Sequence, residues 1–136
     1  MNTKHAKILI VDDDQDDQFM LKKIFKTILP DAEIDQAYNG AECIDYLESH
    51  SENFPDIITM DLNMPLINGI EATAQIKKNA RLKHIPIIIL TTSDRDNDKK
   101  NALESGANDF FIKPVVYDEL KTAIHEIAEK WLKSSV

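Results

Sequence analysis

The sequence predicts one α/β domain in which a parallel five-stranded sheet is covered by helices on both faces. Residues 57–60 and 87–90 are short, continuous apolar runs, which are typical of strands in the middle of a parallel sheet. A predicted helix follows each predicted strand, and all of these helices except the fourth, which is charged, have apolar residues at helical spacing. Because alternating strands and helices build βαβ units with right-handed crossovers, this order predicts a doubly wound, three-layer sandwich.

Turn and capping residues separate the predicted elements. Pro30 ends the first helix, Asn39-Gly40 turns into the second, Pro86 opens the fourth strand, and Gly106 is a natural C-cap for the fourth helix. The second strand alternates weakly and is predicted at a sheet edge. The predicted strands are residues 7–11, 32–37, 57–60, 87–90 and 109–112, and the predicted helices are residues 16–29, the segment containing Ala41, Ile44 and Leu47, and residues 70–80, 96–105 and 117–133.

Composition limits the class of protein. A length of 136 residues fits a single domain with a core at about residues 7–133. The net charge of −8 argues against binding to nucleic acid or to anionic lipid. The single cysteine, Cys43, allows no internal disulfide, and residues 1–11 do not resemble a secretory signal, so we expect a cytoplasmic protein. With only three glycines, the sequence has neither a dinucleotide fingerprint nor a phosphate-binding P-loop.

Polar residues follow four of the five predicted strands. Asp12 and Asp13 follow the first strand, Asp61 follows the third, Thr91 and Thr92 follow the fourth, and Lys113 follows the fifth. Because the carboxyl ends of parallel strands share one edge of the sheet, these side chains should converge there. Asp61 alone could be an ordinary turn or helix cap, and Lys113 alone could be a solvated turn lysine.

Convergence of these residues predicts a particular chemistry. Three carboxylates in one pocket repel one another unless a cation joins them, and oxygen-only ligands suit Mg²⁺, with Mn²⁺ as an alternative. A lysine and a threonine hydroxyl would stabilise charge on phosphoryl oxygens. A carboxylate can itself accept a phosphoryl group and become an aspartyl phosphate.

These motifs resemble a known family. Val11-Asp12-Asp13, Met60 to Pro65 with Gly69, residues 90–93, and residues 110–114 match, in order and spacing, the receiver domain of two-component response regulators. The resemblance runs from Ile8 to about Trp131 and implies a flavodoxin-like sheet with strand order 2-1-3-4-5. Residues 79–85 and 90–93 are also similar to stand-alone receivers associated with phytochrome-type kinases.

The resemblance implies a role for each motif residue. Asp61 corresponds to the phosphoacceptor, and Asp13 and Asp61 would bind Mg²⁺ directly. Lys113 would pair with Asp61 before phosphoryl transfer and with a phosphoryl oxygen afterwards. Asp12 would act on the metal mainly through water, and the Asn63 backbone carbonyl would be a metal ligand. Thr91 and the Thr92 N–H would contact the phosphoryl group. Phe110 would be an aromatic switch, although it could instead be an ordinary core residue, and Pro114 would follow a cis peptide bond.

The resemblance also implies partners. The phosphoryl group would come from a sensor histidine kinase or a histidine phosphotransfer protein. With no output domain expected within residues 1–136, a single-domain receiver would signal by protein contact through its fourth helix, fifth strand and fifth helix, as a monomer or a phosphorylation-dependent dimer. It would not be an enzyme, apart from its own phosphotransfer and autodephosphorylation.

Two other functions remain open. In haloacid-dehalogenase-like phosphatases an Asp-x-Asp follows the first strand, and Asp12-Asp13-Asp14 contains that spacing. Such enzymes usually carry a cap or a longer chain that encloses the substrate. Alternatively, the chain could be a receiver-like module that binds partners without phosphorylation, although its complete acidic set argues against this.

Overall fold

A computed structural model describes residues 5–132 and contains five strands and five helices in strict alternation. The elements are β1 (Lys7–Val11), α1 (Gln15–Ile28), β2 (Glu33–Ala37), α2 (Gly40–Ser49), β3 (Ile57–Met60), α3 (Gly69–Lys78), β4 (Ile87–Thr91), α4 (Asp96–Glu104), β5 (Asp109–Ile112) and α5 (Tyr117–Trp131). All ten predicted elements are present, and their boundaries agree with the predicted ones to within two residues where both were specified. The predicted last helix extends to residue 133, which lies outside the described residues.

The strands form one parallel sheet in the order β2-β1-β3-β4-β5. This order confirms the flavodoxin-like topology. The chain reverses direction across the sheet between β2 and β3, so β1 and β3 lie side by side in the middle. The loops that follow these two strands therefore open at the switch point, where open α/β sheets bind their ligands.

Alternating side chains of the central strands point into two separate cores. Leu9 and Val11 of β1 pack on the side of α2 and α3, whereas Ile8 and Ile10 pack on the side of α1 and α5. All five residues of β1 and all four of β3 are buried, as expected for strands covered on both faces. This double packing fixes the strand ends from which the polar residues emerge.

Local capping explains where several helices begin. The Asp14 carboxylate accepts hydrogen bonds from the N–H groups of Asp16 and Asp17 at the start of α1. Asn68 and Glu71 form a reciprocal capping box at the start of α3. None of the helices within residues 5–132 combines the length and hydrophobicity that crossing a membrane requires.

The end of α5 is fixed to the start of β5. One carboxylate oxygen of Asp109 accepts hydrogen bonds from Lys130 Nζ at 3.0 Å and from Trp131 Nε1 at 3.1 Å. Trp131 also packs against the core beneath α1 and α5, which confirms its predicted packing role. Burial opposes ionisation of Asp109, but hydrogen bonds from Lys130 and Trp131 outweigh it and lower the pKa of this carboxyl group.

Candidate functional site

Three carboxylates from two strand ends converge at the carboxyl edge of the sheet. One oxygen each of Asp12, Asp13 and Asp61 lies within 4.8 Å of the other two. Asp12 and Asp61 are buried, whereas Asp13 is exposed. The predicted convergence of the acids is therefore present, and two of the three carboxylates are shielded from water.

Backbone hydrogen bonds hold the two buried acids in register with the sheet. The N–H of Asp61 donates to the carbonyl of Val11 at 3.0 Å, and the N–H of Asp12 donates to the carbonyl of Ala37 at 3.1 Å. Asp12 Oδ1 also accepts from the N–H of Asp14 at 2.9 Å. The positions of these carboxylates thus follow from strand pairing.

The loop after β3 is packed tightly beneath Asp61. Gly69 N–H donates to the carbonyl of Leu62 at 3.0 Å, which folds the loop back on itself. A Cβ atom at position 69 would lie 2.2 Å from the Asp61 carbonyl oxygen, so only glycine fits there without movement of the backbone. Within this loop Leu66 has a left-handed backbone with φ of 67° and is largely exposed.

Lys113 reaches into the acidic site from the end of β5. Its ammonium group donates to Asp12 Oδ2 at 2.7 Å and to Asp17 Oδ2 at 2.8 Å. The lysine is buried, so it is not a solvated turn residue. Its hydrogen bonds go to these two acids rather than to Asp61, so the predicted resting pair of Lys113 with Asp61 is replaced by an Asp12–Lys113–Asp17 arrangement.

Burial and neighbouring charge shift the acidity of this pair. Burial raises the pKa of Asp12 to about 6, an effect that the hydrogen bond and charge of Lys113 offset only in part. For Lys113, burial favours the neutral amine, but its hydrogen bonds to Asp12 and Asp17 outweigh that effect and raise the pKa. Lys113 is therefore a permanent positive charge at neutral pH beside a carboxyl group of weakened acidity.

Sequence reasoning missed the roles of two residues at the start of α1. Asp17 is a partner of Lys113, which its position in the first turn of α1 does not indicate. Gln18 is buried, and its Nε2 lies within 3.0 Å of the carbonyl oxygens of Ile10, Asp12 and Ala37. Gln18 lies three residues before Leu21 on the buried face of α1, and a polar residue in that stripe is a signal that could have identified it.

The residues at the end of β4 and within β5 differ in how deeply they are buried. Thr91 is buried and its Oγ1 accepts from the N–H of Ser93 at 3.3 Å, whereas Thr92 is exposed. Phe110 is half-buried and packs against the core on the α2 and α3 side. It also lines a groove of about 330 Å³ that includes Arg95 and Lys99 of the α4 region.

The peptide bond preceding Pro114 is trans. No cis bond occurs within residues 5–132, so the cis Lys113–Pro114 bond predicted from the resemblance is wrong. Trans is the lower-energy isomer of a bond before proline. Pro114 itself is partly buried directly after Lys113.

The donor set suits a hard divalent cation. The clustered ligand atoms are all carboxylate oxygens, and no imidazole or thiolate belongs to the group. Asp13 and Asn63 also line an open cleft of about 440 Å³, which leaves room for water and a small substrate beside the carboxylates. Such an arrangement fits Mg²⁺, which keeps several waters and takes few protein carboxylates.

Comparison with known proteins identifies the family. The model of the response regulator receiver domain matches residues 8–125. This chain belongs to the response regulator receiver family. It is 35% identical over 126 residues to protein PilH of Pseudomonas aeruginosa, an alignment that covers 90% of this receiver and 97% of PilH.

Solved structures support the same assignment. The phosphorylated cyanobacterial phytochrome response regulator RcpA superposes with a TM-score of 0.90 at 28% identity, with 98% of each chain covered. The Mn²⁺-bound form of Rcp1, a response regulator of Synechocystis, gives a TM-score of 0.84 at 30% identity and covers 94% of this receiver and 95% of that chain. The chain is thus a signalling domain of a two-component system, and the phosphatase alternative is not favoured.

Family membership confirms several general expectations. Aspartate phosphorylation and Mg²⁺ binding are characteristic of receiver domains, and the acidic cluster is present in this one. Receiver domains interact with histidine kinases or phosphotransfer proteins. The roles of individual residues in this chain remain predictions.

Proposed function

We propose that this receiver accepts a phosphoryl group on Asp61 from a histidine kinase or histidine phosphotransfer protein. The observation that carries the proposal is the convergence of the Asp12, Asp13 and Asp61 carboxylates beside the buried ammonium group of Lys113. A carboxylate oxygen of Asp61 would attack the phosphorus atom as the donor's phosphorus–nitrogen bond breaks. The product is an acyl phosphate on Asp61.

Asp61 has the surroundings that a nucleophilic carboxylate needs. Its Oδ1 accepts a long hydrogen bond of 3.4 Å from the N–H of Asn63, which orients the group without fully satisfying it. Its burial limits the amount of water that can reach the acyl phosphate. The cleft beside Asp13 and Asn63 is the side from which a donor group would enter.

The metal site would use Asp13, Asp61 and the backbone carbonyl of Asn63, with Asp12 acting mainly through water. When bound, Mg²⁺ supplies positive charge that offsets repulsion between the acids and the incoming phosphoryl oxygens. Lys113 would supply a second positive charge at those oxygens, and Asp12 would keep its ammonium group within the site. Mn²⁺ has the same preference for oxygen ligands and should substitute.

The end of β4 would detect the phosphoryl group. The Thr91 hydroxyl oxygen accepts from Ser93 N–H, so its own proton remains available to donate to a phosphoryl oxygen. The exposed Thr92 could add its backbone N–H. Movement of Thr91 would open space toward Phe110, and phosphorylation would then favour a conformation that already exists at low population.

The signal would leave by protein contact at α4, β5 and α5. Lys99, Lys100 and Lys121 are exposed there, as is the apolar side chain of Ile112. An acidic or mixed protein surface is the proposed target, with the receiver acting as a monomer or as a phosphorylation-dependent dimer. Apart from its own phosphotransfer and autodephosphorylation, we propose no enzymatic turnover, and we place these encounters in the cytoplasm.

Phosphoryl labelling tests the proposal. The full chain is incubated with MgCl₂ and acetyl phosphate, and the modified residue is mapped by mass spectrometry of peptides. Label on Asp61, lost in Asp61→Asn and retained in the exposed control Asp45→Asn, is the expected result. Label on Asp12 would support the phosphatase alternative, and absence of label would support a binding module that works without phosphorylation.

A further inference from the structure

The ammonium group of Lys113 has two carboxylate partners that differ sharply in their surroundings. Its bonds to Asp12 and Asp17 are nearly equal in length, at 2.7 and 2.8 Å. The Asp12 side chain is 2% exposed, however, whereas the Asp17 side chain is 40% exposed. Bulk water reaches the Asp17 carboxylate far more readily than the Asp12 carboxylate, so the bond from Lys113 to Asp17 is the easier one to break.

The position of Asp17 is fixed by the start of α1. Its backbone N–H donates to the capping side chain of Asp14 at 3.1 Å, which holds the first turn of the helix. From this turn the carboxylate contacts a lysine that lies 96 residues later in the chain. An acid in the first turn normally only complements the helix dipole, so the bond to Lys113 is an additional and specific contact.

The two partners of Lys113 differ in their relation to Asp61. Asp12 belongs to the carboxylate group that includes Asp61, with oxygens within 4.8 Å, and Asp17 is not part of that group. If the ammonium group shifts toward a phosphoryl group on Asp61, it can keep its bond to Asp12. Because Asp17 lies outside that group, we expect the same shift to lengthen the bond to Asp17.

We propose that Asp17 is a positioning residue that anchors Lys113 away from Asp61 in the unmodified receiver. This inference rests on the proposed role of Asp61 as phosphoacceptor. Asp17 binds the resting position of Lys113 better than the shifted one, so it stabilises the unmodified state. By linkage, an interaction made only in the resting state weakens the binding of any ligand that requires the other state.

Removal of the Asp17 charge should therefore strengthen binding of a phosphoryl group. In Asp17→Asn, beryllofluoride, a phosphoryl analogue that binds to a carboxylate, should bind in MgCl₂ roughly two- to fivefold more tightly than to wild type, the range for a partly exposed ion pair. Asp16→Asn is the matched control. It removes the same charge from the same helical turn, at an exposed residue with no described contact to Lys113.

Two further measurements separate anchoring from a general effect on folding. Asp17→Glu keeps the carboxylate and should return the affinity toward that of wild type. In NMR spectra of the metal-free protein, the ammonium ¹⁵N signal of Lys113 should shift in Asp17→Asn and stay in place in Asp16→Asn. A purely structural role for Asp17 would lower thermal stability without tightening the binding of beryllofluoride.

The outcomes distinguish this inference from the proposed function. If wild type binds beryllofluoride on Asp61 and Asp17→Asn binds it no more tightly than Asp16→Asn, the anchoring role is overturned and the phosphoacceptor role stands. If wild type fails to bind the analogue at all, both are overturned. Tighter binding by Asp17→Asn alone, with the Lys113 signal displaced, supports anchoring.

Discussion

Lys113 Nζ lies 2.7 Å from Asp12 Oδ2, and these two residues are 101 positions apart in the chain. Both side chains are almost completely buried, which makes this a desolvated ion pair at the edge of the sheet. Removal of either partner would leave the other as an uncompensated buried charge, and the intact pair keeps the Lys113 ammonium group beside the acidic residues. The pair links the ends of β1 and β5.

Substitution of Lys113 by methionine should separate its two electrostatic effects. Lys113→Met should slow phosphorylation of Asp61 by about 100-fold or more, because it removes one charge-stabilising donor. The same variant should bind Mg²⁺ about tenfold more tightly, since a positive charge no longer repels the ion. Stopped-flow phosphorylation and Mg²⁺ titration measure the two effects, with the exposed Lys121→Met as control. Weaker Mg²⁺ binding in Lys113→Met would contradict the arrangement.

Mg²⁺ binding should weaken in acid because Asp12 is protonated there. The pKa of Asp12 is raised to about 6, so its carboxylate is mostly ionised at pH 7 and mostly protonated at pH 5. Below about pH 6 the apparent affinity for Mg²⁺ should fall by up to about tenfold per pH unit, since the ion requires the deprotonated acid. In Asp12→Asn the overall affinity for Mg²⁺ should be lower, and the fall in affinity that begins near pH 6 should be absent. If the fall in Mg²⁺ affinity near pH 6 persists in that variant, a group other than Asp12 is responsible for it.

The same shift affects folding of the metal-free receiver. The pKa of Asp12 is higher in the folded protein than its ordinary value of 3.8, so folding takes up protons between about pH 4 and pH 6. Across that window the contribution of Asp12 to the free energy of unfolding falls as pH rises, and it stays constant above it. Urea unfolding of wild type and Asp12→Asn at both ends of the window should show this difference.

The buried side chain of Gln18 should make a large contribution to the free energy of unfolding. Replacement by leucine removes the amide donor that serves three carbonyl groups at the ends of β1 and β2, so Gln18→Leu should lower the free energy of unfolding by about 1–3 kcal/mol. Gln15→Leu makes the same chemical change at an exposed position of the same helix. Urea unfolding should show a much smaller effect for that control. Equal effects would mean that the buried amide contributes little.

Gly69 should couple folding to the acidic site. A methyl group at position 69 would collide with the Asp61 carbonyl. A methyl group at position 40 would instead lie 2.4 Å from the carbonyl oxygen of Ile67, which belongs to the same loop after β3 but is a different residue from Asp61. Each alanine variant should lose about 1–3 kcal/mol of stability through overpacking. Only Gly69→Ala should also weaken Mg²⁺ binding, measured by titration at a temperature where both variants are folded. Equal Mg²⁺ affinity in the two variants would contradict this coupling.

Local patterns along the chain determined the elements and the edge of the sheet to which the acids belong. The apolar runs of β3 and β4 require burial on both faces, and that requirement forces the alternating strands and helices into a three-layer fold. Asp12, Asp13 and Asp61 then share an edge because parallel strands end together. These features depend on residue type and spacing, which the sequence contains.

Only the tertiary structure decided which charged groups pair. Lys113 contacts Asp12 and Asp17 rather than Asp61, and Gln18 joins the ends of β1 and β2. Such choices depend on distances of a few ångströms between side chains from distant parts of the chain and on their differing access to water. Neither quantity is encoded in local periodicity, because both arise only when α1 and β5 take their places around the same sheet.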